Sequence, residues 1–284
     1  MTSPLNPDLH CHSTASDGTL APEALAARAK ANGVDLWALT DHDEVSNLAR
    51  ARAAARAEGI GYLSGVEISV TFADKTVHIV GLGFDADDPG LIASLAAMRA
   101  GRDGRAHEMA ARLEQLGIPD AYQGALRYVS NPTLISRVHF ARYLVETGVC
   151  QDTTEVFRKY LGDGKSAYVP HRWSALGDAV RWITQAGGVA VIAHPARYGF
   201  APTVDYALFT EFKAHGGRGV EVVTGSHTAA EARRYADVAR EFDLAASRGS
   251  DFHAPGESHC DLGRLDPLPA DLTPVWTLLA DRIQ

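Results

Sequence analysis

Apolar and polar positions alternate along the first ninety residues in a way that predicts strands and helices in turn. Residues 8–12 read as a short strand and 22–31 as a helix, with Pro22 in its first turn and Gly33 just past its end. The apolar run 36–40 suits a strand buried on both faces, and the Ala/Arg-rich stretch 46–58, closed by Gly59, suits a helix. Strands follow over 62–68 and 76–82. From 89 to about 161 the strand signal disappears: helical periodicity runs over 92–116 and 133–146, and 153–160 reads as a short helix. Alternation then resumes, with helices over 175–186, 205–215 and 229–242 and strands over 189–193, 220–223 and 244–247. A last helix is expected over 274–283. Seven or so strands alternating with helices predict an α/β protein built on a parallel sheet, open or closed into a barrel. The division implied is a sheet domain over 1–88 and 162–284, interrupted by a helical insertion over 89–161.

Composition narrows the class. With 284 residues, 46% of them apolar, the chain can bury one large core or two ordinary ones. A net charge of -8 argues against coating nucleic acid by bulk charge. No apolar run approaches the roughly 18 residues of a membrane span, and the first ten residues lack the basic and apolar regions of a signal peptide. Cys11, Cys150 and Cys260 are too few and too scattered for a disulfide framework, which fits a cytoplasmic protein. Neither a membrane nor an obligate protein partner is expected. Two counts are unusual: arginine far outnumbers lysine among the 27 basic residues, and there are twelve histidines, the residue that is the commonest metal ligand.

Their positions matter more than their number. His10 and His12 end the first strand and Asp17 lies in the next loop; Asp41, His42 and Asp43 follow the second strand. Glu67 ends the third strand, His78 lies on the fourth, His194 follows the fifth, and Asp251 and His253 follow the last. In α/β sheets and barrels the C-terminal strand ends are where active sites are built. Strand residues two apart point to one side about 6.6 Å from each other, so His10 and His12 can share one ion. Cys11 then faces the other way, as a small buried apolar residue. Asp43 has an alternative reading as the cap of the helix that follows. Six imidazoles and three carboxylates exceed a tetrahedral shell and suit two or three ions with bridging carboxylates. Such a mixture favours Mn, Fe or Zn over Ca, and the lack of thiolates argues against a structural zinc cluster.

The segments DLHCHS (8–13), SDG (16–18), ALTDHD (38–43), GVEIS (65–69), HIVG (78–81), AHP (193–195) and GSDFH (249–253) span nearly the whole chain. Together they resemble the polymerase and histidinol phosphatase (PHP) family. The resemblance implies a distorted seven-stranded (β/α) barrel with a helical insertion, holding two or three divalent ions, Mn ahead of Zn or Fe. It implies one ion on His10, His12, Glu67 and Asp251, and a second on the bridging Glu67, His78 and His194. A third would take Asp17, His42 and His253. The insertion, through RAGRDGRAHEM (99–109), NPTLISRVHFARYL (131–144) and FRKYL (157–161), together with GSDFHAPGE (249–257), is similar to the subgroup that acts on 3',5'-nucleoside bisphosphates. That implies removal of the 3'-phosphate from adenosine 3',5'-bisphosphate to give AMP. The alternatives are a 5'-to-3' exonuclease on short RNA and a histidinol-phosphate-type phosphatase.

Metal ions lower the pKa of bound water toward 7, so the expected nucleophile is a metal-bridging hydroxide. The chain has no nucleophile elbow of the G-x-S-x-G type, and no side chain is assigned as general acid. A bisphosphate also needs an anion pocket away from the ions. Arg99, Arg102 and Arg105, three residues apart on one predicted helix, are candidates, with Asn131, Arg137 and His139; arginine forks match phosphate oxygens. Lys165, Tyr168, His171 and Arg197 sit in predicted loops, where cleft and surface roles are equally open. A local basic pocket in an acidic protein favours a mononucleotide over long RNA.

Overall fold

The computed structural model describes residues 5–284, and its first three strands follow the expected scheme. β1 (Pro7–Asp8) leads through α1 (Pro22–Ala31) to β2 (Leu36–Leu39), and β2 through α2 (Leu48–Glu58) to β3 (Gly61–Phe72). β1 pairs in parallel with β2, and β2 with β3. Gly59 ends α2 in the left-handed region (φ 65), where a side chain would be strained.

β4 (Lys75–Leu82) departs from the expected parallel sheet. It returns from β3 through Ala73 and Asp74, at φ 46 and 60, the mirror-image turn that matches strand twist. A two-residue link is far too short for the crossover a parallel pair needs, so β4 runs antiparallel to β3. The start of β4 therefore lies at the same rim as the C-terminal ends of β1, β2 and β3.

Helices follow: α3 (Pro89–Arg99), α4 (Arg102–Gln115), α5 (Ala121–Leu126), α6 (Arg137–Glu146) and α7 (Thr153–Val156), the last running into a π-helical turn over Phe157–Leu161. The single helix expected over 92–116 is broken before Arg102. At Gly101 the His171 ring packs so close that a Cβ would come within 2.9 Å of its Cε1. α5, at six residues, is too short to show a periodicity.

The chain then forms β5 (Ser174–Ala175), α8 (Leu176–Gln185), β6 (Val189–Ile192), α9 (Pro202–Ala214), β7 (Gly219–Thr224), α10 (Ala229–Glu241) and β8 (Ala245–Gly249). β6 pairs antiparallel with β4, whereas β6–β7 and β7–β8 are parallel. The helix expected over 274–283 is only a 3₁₀ turn, Val275–Leu279. Gln284 exchanges two backbone hydrogen bonds of 3.0 Å with Tyr62, which holds the end of the chain extended beside β3.

The strand order is β1-β2-β3-β4-β6-β7-β8, with β5 alongside β3. Backbone bonds from Leu9 N to Arg248 O (3.0 Å) and Asp251 N to His10 O (2.8 Å) join the two ends of this path. The result is a nearly closed, seven-stranded mixed barrel ringed by helices, in the α/β class. Leu9, Leu36, Leu63, Val80 and Val191 fill its interior. Leu91 and Leu95 of α3 belong to the core between barrel and helices, while residues from Ala106 to Val169, with Phe140 and Leu144, form a separate core. Apolar packing thus divides after α3 and near Val169, later at both ends than a division at 89 and 161. A cleft lies between the two bodies. No helix among the described residues is long and apolar enough to cross a membrane.

Candidate metal centre and anion cleft

The nine side chains singled out in the sequence as metal ligands converge on one rim of the barrel. Past β1 the chain stays paired to residues 248–252, through Leu9 N to Arg248 O (3.0 Å) and His12 N to Phe252 O (2.8 Å), so His10 and His12 turn inward, while Cys11 turns outward and accepts the Trp37 indole N–H at 3.1 Å. Glu67 of β3 is fully buried at the middle of the group. Its Oε2 lies 3.2 Å from His10 Nε2, 3.3 Å from His12 Nε2 and 3.0 Å from His42 Nδ1. Its Oε1 lies 2.8 Å from His78 Nδ1 and 2.9 Å from His194 Nε2. Asp251 Oδ1 stands 3.2 Å from His12 Nε2. On the other side Asp17 faces His253 Nε2 at 3.4 Å and His42 Nε2 at 3.8 Å.

Three groups emerge: His10, His12, Glu67 and Asp251; His42, Glu67 and His78; and His12, Asp17, His42 and His253. His42 faces two of them with its two ring nitrogens. Donors held about 2.1 Å from one ion stand roughly 3.0–3.4 Å apart, which is the spacing around Glu67. Buried atoms here without a hydrogen-bond partner include Glu67 Oε2, Asp17 Oδ1, His12 Nδ1, His42 Nδ1 and His78 Nδ1. A buried carboxylate oxygen left so is costly unless a cation meets it. The donor set is able to bind divalent cations.

Charge is strongly coupled across the site. Burial opposes ionisation of Glu67, yet His78, His42 and His10 hold its carboxyl well below the usual range. Burial likewise works against protonation of His12, but Asp251, Glu67 and Asp17 raise it to about 10. For His42 burial prevails, with a push from His12 and His78, and its pKa falls to about 3 despite Glu67 and Asp17. The carboxylates are therefore ionised, and the imidazoles nearest the first group keep their protons until a cation displaces them.

Further residues hold this arrangement. Asp41 accepts from Ser13 N (2.7 Å), Ser13 Oγ (2.6 Å) and Ser16 Oγ (2.6 Å), which locks the loop bearing Asp17. Asp43, at φ 51, turns toward β3 and accepts from Ser69 N at 2.8 Å and from Arg102. It does not cap the next helix; Asn47 precedes α2 and makes no side-chain cap bond. His194 (φ 26) and Asp251 (φ 55) sit in a backbone region that non-glycine residues rarely adopt.

The cavity over these groups is lined on the insertion side by Arg102, Arg105 and Arg137. The Arg102 and Arg105 guanidiniums lie 4.6 and 5.7 Å from the Trp173 ring centre, and Arg137 lies 5.6 Å from that of Tyr168. Burial, then Arg137 and Arg102, lowers the Arg105 pKa to about 10. Guanidiniums crowded in this way form a ready site for an anion. Arg197 lines the opposite wall.

Three expected anion contacts are placed elsewhere. Arg99 donates to the Asp43 carbonyl at 2.6 Å and, like Asn131, lines a separate groove beside α2 and α3. The interruption of the helix at Gly101 removes Arg99 from the face that Arg102 and Arg105 share. Asn131 bonds Glu44 at 3.3 Å and caps the 3₁₀ turn after it through Thr133 N at 3.1 Å. His139 is fully buried; its Nδ1 accepts from Ser136 N at 3.0 Å at the start of α6, and it does not line the cavity. Conversely, local pattern leaves the role of Arg197 open and does not mark Trp173 or Glu221. A lone Glu in the apolar run GVEVVT was the available signal for Glu221.

The PHP domain family profile matches residues 8–156. Over 98% of each chain, the sequence is 50% identical to a 3',5'-nucleoside bisphosphate phosphatase of Chromobacterium violaceum. It is 43% identical to a 5'-3' exoribonuclease of Haemophilus influenzae, covering 95% of this chain and 97% of the other. Among solved structures, an amidohydrolase from Chromobacterium violaceum with bound sulfate and no metal superposes with a TM-score of 0.95. It is 50% identical and the match covers 98% of this chain and 97% of that one.

Proposed function

This chain belongs to the PHP domain family, and from that premise we propose that it removes the 3'-phosphate from nucleoside 3',5'-bisphosphates, turning adenosine 3',5'-bisphosphate into AMP and phosphate. One observation carries the reading. Members of each imidazole–carboxylate group and the trio Arg102, Arg105 and Arg137 line the same cavity, which would give a bisphosphate a separate place for each phosphate. The 50% identical relative named for that reaction supports it.

His10, His12, Glu67 and Asp251 would hold one cation, Glu67, His78 and His194 a second, and Asp17, His42 and His253 a third. We expect Mn, with Zn or Fe as alternatives. Divalent ions in such a site lower the pKa of water and offset charge on phosphoryl oxygens. The chain's own part is to bind and orient. The arginine trio would grip the 5'-phosphate, with the Trp173 ring keeping two guanidiniums flat and aimed. That grip would set the 3'-ester against the carboxylate-rich rim. No side chain stands out as the proton donor to the leaving ribose oxygen. A cytoplasmic setting is part of this proposal, in keeping with three unpaired cysteines.

A second reading has its own support. Beyond Arg197, Asp251 and His253 the cavity continues into a groove lined by Thr153, Phe157, Ser226 and Ser258. A substituent on the reacting phosphate could extend there, as in a 5'-to-3' exonuclease on short RNA. The deciding assay supplies Mn²⁺ and compares adenosine 3',5'-bisphosphate, histidinol phosphate and a 5'-phosphorylated oligoribonucleotide. The bisphosphate is expected to give the highest kcat/KM; if it is the poorest substrate, the proposal fails.

A further inference from the structure

β7 carries one carboxylate among apolar neighbours. Glu221 is fully buried, and both of its oxygens are used. Oε1 lies 2.7 Å from His10 Nδ1, and Oε2 accepts the backbone N–H of His194, also at 2.7 Å. Among the described residues His10 is its only ion-pair partner. The two groups it touches come from opposite sides of β7 in the barrel: His10 extends from β1, and His194 follows β6.

We infer that Glu221 is a positioning residue for the metal centre, tying His10 of the first ligand group to His194 beside the second. Oε2 accepts the His194 N–H, and with Oε1 also serving as an acceptor, as a carboxylate oxygen does, the His10 nitrogen facing it is the one that carries the proton. That leaves Nε2 as the coordinating atom of His10, and Nε2 is the one aimed at Glu67 Oε2 (3.2 Å) and Asp251 Oδ1 (3.5 Å). Reversing the tautomer would oppose a lone pair to the carboxylate and turn an N–H toward the cation.

The second contact acts on the backbone. His194 stands at φ 26 and ψ 58, a conformation a non-glycine residue keeps only when its surroundings hold it. A charge-assisted bond from its own N–H to a buried carboxylate is such a hold. It directs the His194 ring to Glu67 Oε1 at 2.9 Å. Glutamine could satisfy one of the two donors, since its amide nitrogen would face the other donor instead of accepting from it. Glu221→Gln therefore tests the double contact with little change in size.

The inference rests on reading the clusters as divalent-cation sites, and the test separates the two. Mn²⁺ binding to wild type and Glu221→Gln is measured by calorimetry and by metal analysis after desalting. Near-UV circular dichroism in EDTA confirms that both are folded. We expect Glu221→Gln to lose roughly 10–100-fold in Mn²⁺ affinity, the usual effect of removing an outer partner of a ligating histidine. A measurement on wild type alone guards against misfolding of the variant. In ¹⁵N-histidine-labelled, Zn²⁺-loaded protein the His10 signal should show a hydrogen-bonded proton on Nδ1 and none on Nε2. Unchanged Mn²⁺ affinity in a folded Glu221→Gln, or a His10 protonated on Nε2 in the loaded protein, overturns the role of Glu221 while leaving the metal reading intact. If wild type takes up no divalent ion, both fall.

Discussion

Arg197 reaches Asp251 across the cavity rim, Nη1 standing 2.7 Å from Oδ2, while the other oxygen of the same carboxylate faces His12 at 3.2 Å. One side chain of Asp251 therefore joins a cation-binding group to a guanidinium that lines both the central cavity and the groove beyond it. About half of the Arg197 side chain is exposed, so it is free to meet a ligand.

From this position Arg197 should stabilise the phosphoryl group more as charge builds on it than in the ground state. Arg197→Ala is expected to lower kcat roughly 100-fold on every phosphate ester tested, as loss of one preorganised donor does. Metal content should be unchanged. Steady-state kinetics with metal analysis decide the matter; loss of metal would mean that Arg197 acts by holding Asp251.

The arginine trio should discriminate between substrates. Among the described residues Arg137 bonds Leu161 O (3.3 Å) and the exposed Asp163 (3.0 Å), so its removal disturbs the metal rim less than that of Arg102, which pairs with Asp43. A charged hydrogen bond contributes about 2 kcal/mol, a factor of roughly 30. Arg137→Ala should thus raise KM for adenosine 3',5'-bisphosphate by about that factor and leave an aryl phosphate nearly unaffected. Equal losses on both would place Arg137 outside the anion pocket.

Cation uptake should release protons. His12 in the cation-free protein has its pKa raised to about 10, burial being outweighed by Asp251, Glu67 and Asp17. It holds its proton at pH 8, and a ligating nitrogen must give it up. Calorimetry in buffers of different ionisation enthalpy should show about one proton released or more per protein, with Mn²⁺ affinity rising from pH 7 toward 10. The sign for stability is opposite without the ion. The folded pKa exceeds the ordinary value of about 6.5, so this contribution is full below 6.5 and lost as pH rises through about 10. EDTA-treated protein should melt lower at pH 10 than at pH 7. Release of no protons would contradict the charge state assigned to His12.

His139 should make the protein sensitive to acid. Burial lowers its pKa to about 4, and its Nδ1 accepts the Ser136 N–H that starts α6, a bond lost on protonation. Because the folded pKa lies below the ordinary one, stability from the neutral ring is present above about pH 6.5 and lost as pH falls toward 4. Denaturant titrations in EDTA should show His139→Gln with a shallower pH slope between 6.5 and 4, by close to one proton. An unaltered slope would show that His139 does not titrate there.

Much of the site was legible because its spacing is local. His10 and His12 lie two apart in a strand, and Asp41, His42 and Asp43 stand where β2 ends; such positions follow from strand periodicity without knowledge of the rest of the chain. The anion side was less legible. Arg99, Arg102 and Arg105 share a face only if the helix is continuous, and the packing of His171 on Gly101 ends that continuity. His139 looked like a phosphate contact, but the same ring can accept a backbone N–H, and only the packing of α6 decides between the two. Asp43 had the chemistry of a cap; a positive φ sent its carboxylate to Ser69 and Arg102 instead.

By itself the sequence determined most of the strands and longer helices, that two-residue and three-residue spacings carry the ionisable side chains, and that the motifs are those of the PHP family. Those properties depend on neighbours in the chain, through side-chain direction and turn chemistry. The tertiary structure alone decided that β4 runs backward, so that His78 reaches the rim from the start of its strand. It also brought Glu221 beneath His10 and His194, and set Arg197 against Asp251. Each of these contacts joins residues far apart in the chain, and their geometry exists only once the barrel has closed and its packing has chosen among rotamers that the sequence leaves equally open.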